Sequence, residues 1–336
     1  MTVLLRPVGL TLVVVALVDV TWTTIAAGSG GGPVTRRLAS WVWQGHLRAH
    51  RRWPSHRRLT FAGVSIVLIT FATWVGLVLL GWALVLASAD GAVRDAATGR
   101  PAGLVERLYF TGYTVFTLGN GELRPGTGWW QVATVMATAS GLVFVTLAIT
   151  YLVPVASAAA ERRSLASTVA SLGSTPHEIV TNAWTGSGFG SLDQHLVSLT
   201  PLVHSIRQQH LAYPVLHYFH SRTADSAAAI NVANLSQALH LLDHGVAADD
   251  RPDRAATGPL DRAITGFLDT LGAAFLTPSG PPLPPPDLAP LVAAGVPTVA
   301  PDRYTEAEAP SEPRRALLAA LLAEDGWPAP EEPSAP

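Results

Sequence analysis

Two uncharged apolar runs, residues 60–88 and 129–157, bracket a segment that reads YFTGYTVFTLGNGELRP, residues 109–125. Each run exceeds the roughly 20 residues needed to cross a ~30 Å hydrocarbon core as a helix. Between them, an aromatic and threonine-rich stretch passes into Thr117-Leu118-Gly119-Asn120-Gly121-Glu122. Irregular backbone cannot face lipid, because each unpaired N–H or C=O costs several kcal/mol there. At membrane depth it survives only when buried in protein or when it lines a wet cavity. Such a loop must therefore line something. Gly119 and Gly121 stand at alternate positions, where glycine permits φ > 0 and lets consecutive carbonyls turn to one side. Carbonyls so aimed can replace the water shell of a cation.

Composition supports a membrane setting. Hydrophobic residues make up 49% of the chain and charged residues 14%, with a mean hydropathy of +0.30; soluble proteins carry about a quarter charged residues. The imbalance lies in the first 160 residues, and 336 residues leave room for a second domain. The absence of cysteine excludes disulfides, thiolate metal sites and cysteine nucleophiles. A net charge of −2 makes no case for nucleic acid. Every basic residue is arginine, which fits a high-GC bacterial codon bias.

A third apolar run, residues 8–27, holds one acid, Asp19. A signal peptide with Arg6 in its n-region and Ala26-Ala27 near a cleavage site is the rival reading, but Asp19 sits too deep in the run for an h-region. A carboxylate at that depth costs ~2.5–3.5 kcal/mol on insertion scales, so it should face other helices or water. It serves either as a hydrogen-bonded packing residue or in ion coupling. Residues 28–33 form a glycine-rich break. Residues 35–58 then carry seven arginines, three histidines and no acid, a basic loop that the positive-inside rule keeps cytoplasmic. Residues 90–128 balance four acids against four arginines and fall outside. Glu161-Arg162-Arg163 marks the return. The basic loop has a second possible use, binding anionic lipid head groups through its arginines with Trp41, Trp43 and Trp53.

The loop resembles the pore of the potassium-channel superfamily, with TLGNGE standing where that family has TVGYGD. The likeness extends over residues 60–157: Leu123-Arg124-Pro125 is similar to the family's exit from the filter, and Gly141, nineteen positions after Glu122, falls where members carry a gating-hinge glycine. It implies a filter of backbone carbonyls from Thr117, Leu118, Gly119, Asn120 and Gly121, contributed once by each of four subunits. It further implies a Thr117 hydroxyl at the inner end, Glu122 at the outer mouth, and a pore helix over residues 104–116 whose carbonyl end favours a cation. Gly141 has close helix packing as its other reading, since Ala137, Thr138 and Ser140 beside it are usual at membrane helix contacts. Asn120 departs from the family, which has Tyr or Phe there to pack behind the filter and hold its width. Arginines at every third position of an apolar helix are missing, so voltage gating is not expected.

From Glu161 the composition turns soluble. Thr175-Pro176-His177-Glu178 is a capping box with proline at the first helical position, so a helix begins at Pro176. Further helices are expected over residues 191–209 and 225–243. Strands alternating with helices are not visible, so no nucleotide-binding regulatory fold is indicated. His217 and His220, and His240 and His244, share helix-face spacings, which makes them candidates for a metal or proton sensor beside the blander reading of core and surface histidines. The run PSGPPLPPPDLAP past Thr277 reads as a stiff linker. Residues 312–324 form a short amphipathic piece, and the last dozen residues are expected to be disordered.

The expected fold is an all-α membrane protein: three transmembrane helices, one re-entrant pore helix with its filter loop, and a helical cytoplasmic C-terminal domain. Its parts are residues 1–34 (N-terminal transmembrane helix), 35–59 (basic cytoplasmic loop), 60–160 (pore module), 161–276 (helical cytoplasmic domain) and 277–336 (a Pro-rich, largely disordered tail). The expected function is passive conduction of potassium by a homotetramer in a bacterial inner membrane. No enzymatic activity and no cofactor beyond the permeant ion are expected. A non-selective cation channel and a non-conducting sensor or scaffold on a pore-like body are the alternatives, and a regulatory ligand is left open.

Overall fold

A computed structural model describes residues 2–25, 31–53 and 55–328. It confirms an all-α membrane protein with three helices long and apolar enough to span a bilayer. The cleavage site Ala26-Ala27 of the rival signal-peptide reading, residues 28–30 of the glycine-rich break and residues 329–336 of the expected tail lie outside the described residues.

The chain divides into two compact units, residues 1–41 with 65–155, and residues 42–64 with 156–336. The elements up to the inner helix are α1 (Thr2–Ile25), α2 (Pro33–Arg52), α3 (His56–Ala87), β1 (Val93–Asp95), α4 (Leu104–Val115), β2 (Leu123–Pro125) and α5 (Trp129–Ala170). In the first unit, α1, α3 and α5 meet through Val13, Ala16, Val78, Trp82, Val85, Ala133 and Ala137. Their other faces leave large apolar side chains exposed, among them Val14, Leu68, Ile69, Val135 and Ile149, as lipid-facing helices must. Buried Trp82 donates its Nε1–H to Ser140 Oγ at 2.9 Å, joining α3 to α5 without leaving an indole N–H orphaned in hydrocarbon. The 42 residues of α5 reach about 63 Å at 1.5 Å per residue, twice a bilayer core. The helix therefore runs on past the apolar stretch and through Glu161-Arg162-Arg163, the charged residues expected to mark the return.

Asp19 is a packing residue. It is fully buried and accepts from Val34 N at 2.8 Å, Thr35 Oγ1 at 2.6 Å and Trp74 Nε1 at 2.8 Å. Two of these bonds come from the first turn of α2, whose N–H groups have no partner of their own and whose dipole favours a negative charge. Here lies the first correction. Residues 35–58 are not a basic loop: most of them belong to α2. The sequence rule that places arginines on one side of a membrane is silent about conformation. The buried series Thr35, Ala39, Trp43 and Leu47, four residues apart, is the helical stripe that polar neighbours masked.

In the second unit, α6 (Pro176–Ala183), α7 (Leu192–Ala212), α8 (Ala228–His240), α9 (Arg254–Ala274), α10 (Ala289–Ala293), α11 (Pro301–Glu308) and α12 (Glu312–Glu324) enclose one core. The predicted start of α6 is met: Thr175 Oγ1 accepts from Glu178 N at 3.1 Å, and Glu178 reaches back to Ser174 N at 2.8 Å. Helix α9 was not anticipated, although Asp253 caps it by accepting from Ala255 N. Leu196, Leu199, Val203 and Ile206 of α7 and Leu260, Ile264 and Leu268 of α9 are all buried, at about 1.5–3 kcal/mol for each side chain removed from water.

The second correction concerns residues 277–336. Leu283, Leu291, Val296, Tyr304, Leu318, Leu321 and Leu322 belong to the same core, so the segment through residue 324 is folded. Proline density argues against regular hydrogen bonding, and residues 281–287 indeed form neither helix nor strand. It does not argue against burial. Leu283 is 1% exposed, and its N–H and C=O are both taken up by Arg315.

Candidate functional site

The pore helix α4 begins where Glu106, in its first turn, accepts from Gly103 N at 2.6 Å and pairs with Arg100. Buried Arg107 holds Ala102 O at 2.9 Å and Asp90 at 2.7 Å. The helix stops at Val115, where Leu118 N bonds back to Tyr113 O at 2.7 Å and Thr117 N to Thr114 O at 3.1 Å.

Beyond this point φ is +59° at Thr117, +62° at Gly119 and +81° at Gly121. Left-handed backbone at every second residue lets successive carbonyls turn to one side, where a strand would alternate them. Thr117 is the sole non-glycine residue with positive φ among the described residues. For a β-branched side chain that conformation is an outlier, costing of order 1–3 kcal/mol and kept only where surroundings impose it. A Cβ built at Gly119 or Gly121 meets nothing within 4 Å, so glycine is required there by φ and not by crowding. Residues 116–122 are exposed throughout, Glu122 and Leu118 included.

The loop is nonetheless tied down. Asn120 Nδ2 donates to the Tyr109 hydroxyl of α4. Tyr113 donates its hydroxyl to Leu123 O at 2.8 Å, and Tyr109 meets Tyr113 edge-on at 5.2 Å. The exit strand β2 pairs antiparallel with β1, matching Arg94 with Arg124, and Ala96 N bonds Glu122 O at 2.9 Å. Thus Asn120, where the resemblance expected an aromatic ring, contributes a hydrogen bond from the loop to the pore helix. Tyr109 and Tyr113 stand one helical turn apart on α4; the partners of their hydroxyls depend on where the chain folds back.

Gly141 lies on α5, where a Cβ would stand 1.9 Å from Val115 O. That contact is the close packing its small neighbours suggested.

The candidate histidines are dispersed. His217 is buried and stacks on Phe275 at 4.5 Å; burial pushes its pKa down to about 3, with His210 and Arg162 adding to the effect. His220 instead faces His56, with Nε2 3.0 Å from His56 Nδ1, while Trp327 stacks on both rings. Its Nδ1 lies 3.8 Å from the buried Asp325, which Arg162 approaches at 3.7 Å. Burial, then His220 and His50, lower the His56 pKa. His240 sits beside His244, at 4.9 Å between ring centres, and desolvation lowers it to about 4. Among the described residues no three His, Asp or Glu side chains are grouped to hold a metal ion. Neither His56 nor Asp325 was singled out in the sequence, for they lie far from His220 along the chain.

Comparison with known proteins agrees with the geometry. The profile of a family described as "Ion channel" matches residues 64–157, the stretch from α3 to α5 that holds the loop. The chain is 34% identical over 327 residues to YdjJ, a membrane protein of Bacillus subtilis (strain 168), the match covering 96% of this chain and 95% of that protein. No solved structure matches. A loop with alternating left-handed backbone, set between two spanning helices and matched by that profile, places residues 64–157 in the ion-channel family, of the pore-loop kind, and the chain as a whole belongs with YdjJ to one family of membrane proteins.

Proposed function

We propose that the protein is a passive potassium channel, in which four copies bring residues 117–121 around one axis and conduct through a ring of main-chain oxygens. The observation that carries this reading is the alternation of positive φ at Thr117, Gly119 and Gly121. Carbonyls turned the same way offer a desolvated cation several successive sites, and a single copy supplies only one wall of such a ring. Glu122 adds a carboxylate at the outer mouth, and the C-terminal end of α4 aims partial negative charge toward the cavity. The seven arginines of residues 35–58 orient the chain with that segment and the C-terminal unit in the cytoplasm of a bacterial cell. The role is permeation, without catalysis or a resident cofactor.

The test is flux through the full chain reconstituted in liposomes, with reversal potentials in mixed potassium and sodium. Conduction abolished by Gly119→Ala, in a protein that elutes from detergent as a tetramer, is the expected result. A monomeric assembly, or no flux in any salt, defeats the proposal in favour of a non-conducting sensor; equal permeation of sodium limits it to a non-selective cation channel.

A further inference from the structure

The second unit holds a cavity of about 320 Å³, formed by the end of α8, by Asp261 of α9 and by the segment from Pro286 to Leu318. That volume is at the small end of pockets that take organic ligands. A π-helical turn, Leu241–Gly245, follows α8 directly and carries Asp243 and His244 to the cavity beside His240. Such turns are rare and gather at functional sites. Pro286, Pro310 and Leu318 supply apolar wall.

The polar wall is unfinished. Arg314 is fixed in place, its Nε donating to Ser236 Oγ at 2.8 Å and its Nη1 paired with Asp261. Its Nη2 has no hydrogen-bond partner among the described residues, and neither has His240 Nε2, although both atoms are buried. A buried donor without an acceptor is costly, most of all on a guanidinium. The charge around these atoms leans positive. Arg315 donates only to uncharged acceptors, Leu283 O, Glu308 O and Ser311 Oγ. Asp261 is engaged by Arg314, and burial raises the Asp243 pKa, which disfavours its charge. At His240, burial and then the charges of His244, Arg315 and Arg314 hold the pKa down, with Asp261 opposing them. Among the described residues no ligand set for a metal ion is assembled.

Two unmet donors beside uncompensated positive charge call for a negatively charged acceptor, and the prolines and Leu318 for an apolar body attached to it. We propose that this cavity binds a small organic anion, a carboxylate or phosphate on an apolar body, which accepts from Arg314 Nη2 and His240 Nε2–H. A guanidinium already held by Ser236 and Asp261 loses little freedom when it takes the ligand. The site draws no residue from the first unit, so it stands whether or not the chain conducts.

The test is calorimetric titration of the full chain in detergent with benzoate and phenyl phosphate, which share a ring and differ in the anion, and with benzamide, which keeps the ring without the charge. At least one of the anions should bind saturably, one molecule per chain, below about 10 mM. Benzamide should bind at least about ten-fold more weakly. The tighter of the two anions tells carboxylate from phosphate. Arg314→Gln and His240→Phe each remove one donor, and each should weaken anion binding about ten-fold or more. No binding of either anion overturns the proposal, as does benzamide bound equally well or an affinity unchanged in both variants. Should Arg314→Gln, which leaves Asp261 unpaired, fail to fold, His240→Phe and the benzamide comparison decide.

Discussion

Replacing Gly141 with alanine separates two uses of that residue. The added Cβ would stand 1.9 Å from Val115 O and 2.8 Å from Val115 C, about 1.5 Å inside the 3.4 Å where ordinary contact begins. The obstacle is main chain at the end of the pore helix, two residues before Thr117, and no rotamer change can relieve it. Helices α4 and α5 must part, at an overpacking cost near the upper end of the ~1–3 kcal/mol range. Alanine's better helix propensity returns about 1 kcal/mol, leaving a net loss of about 2 kcal/mol. At roughly 2–4 °C per kcal/mol, Tm should fall by about 4–8 °C. The assay is thermal unfolding of the detergent-solubilised chain followed by circular dichroism, paired with potassium flux in liposomes. Both readouts should drop, because the displaced Val115 carries the start of the 117–121 loop with it. A residue acting only as a hinge would behave in the opposite way: alanine would stiffen α5, Tm would hold or rise by a few degrees, and only gating would change. An unchanged or raised Tm refutes the packing argument.

Three further outcomes follow from the structure. Asp19→Ala strips the first turn of α2 and the Trp74 indole of their shared acceptor, so Tm should fall by an amount equivalent to about 3 kcal/mol or more; Asp19→Asn should cost less, and no change in either sinks the capping role. Tyr109→Phe removes the hydroxyl that receives Asn120, and the potassium-to-sodium permeability ratio from reversal potentials should fall about two- to ten-fold, as loss of one ~0.5–1.5 kcal/mol hydrogen bond allows; an unaltered ratio shows that this bond does not hold the filter. Buried His210 and His217 have folded-state pKa values near 3, against an ordinary 6.5, so the unfolded chain takes up protons first as pH falls, and the stability present at neutral pH is lost from about pH 6.5 downward. Each histidine should cost about 1.4 kcal/mol by pH 5.5. Asp243 and Glu324, raised by burial, act in the opposite direction, so the decisive comparison is His217→Leu, whose Tm should drop less between pH 7.5 and 5.5 than that of the wild type; equal drops contradict the assignment.

Much of this molecule is written in one dimension. A helix that crosses lipid must satisfy its backbone internally and show apolar side chains outward. Length and composition over residues 8–27, 60–88 and 129–157 were therefore enough to count the spans, and two glycines two apart were enough to locate the irregular loop between them. The Thr175–Glu178 cap was equally legible, because every atom it uses lies within one turn. Tertiary structure decided what depends on chain reversal. Thr35 of α2 reads as buried only once Asp19 bonds it, and Trp43 only once, in the second unit, Tyr218 meets its ring. Leu283 and Tyr304 count as core only when α12 and the rest of the second unit close over an irregular proline-rich segment. The partners of Tyr109, His220 and Gly141 come from segments whose distance no local spacing encodes, so the hydrogen bond from the loop to α4, the separation of the histidines and the contact at Val115 could be read only from the folded chain.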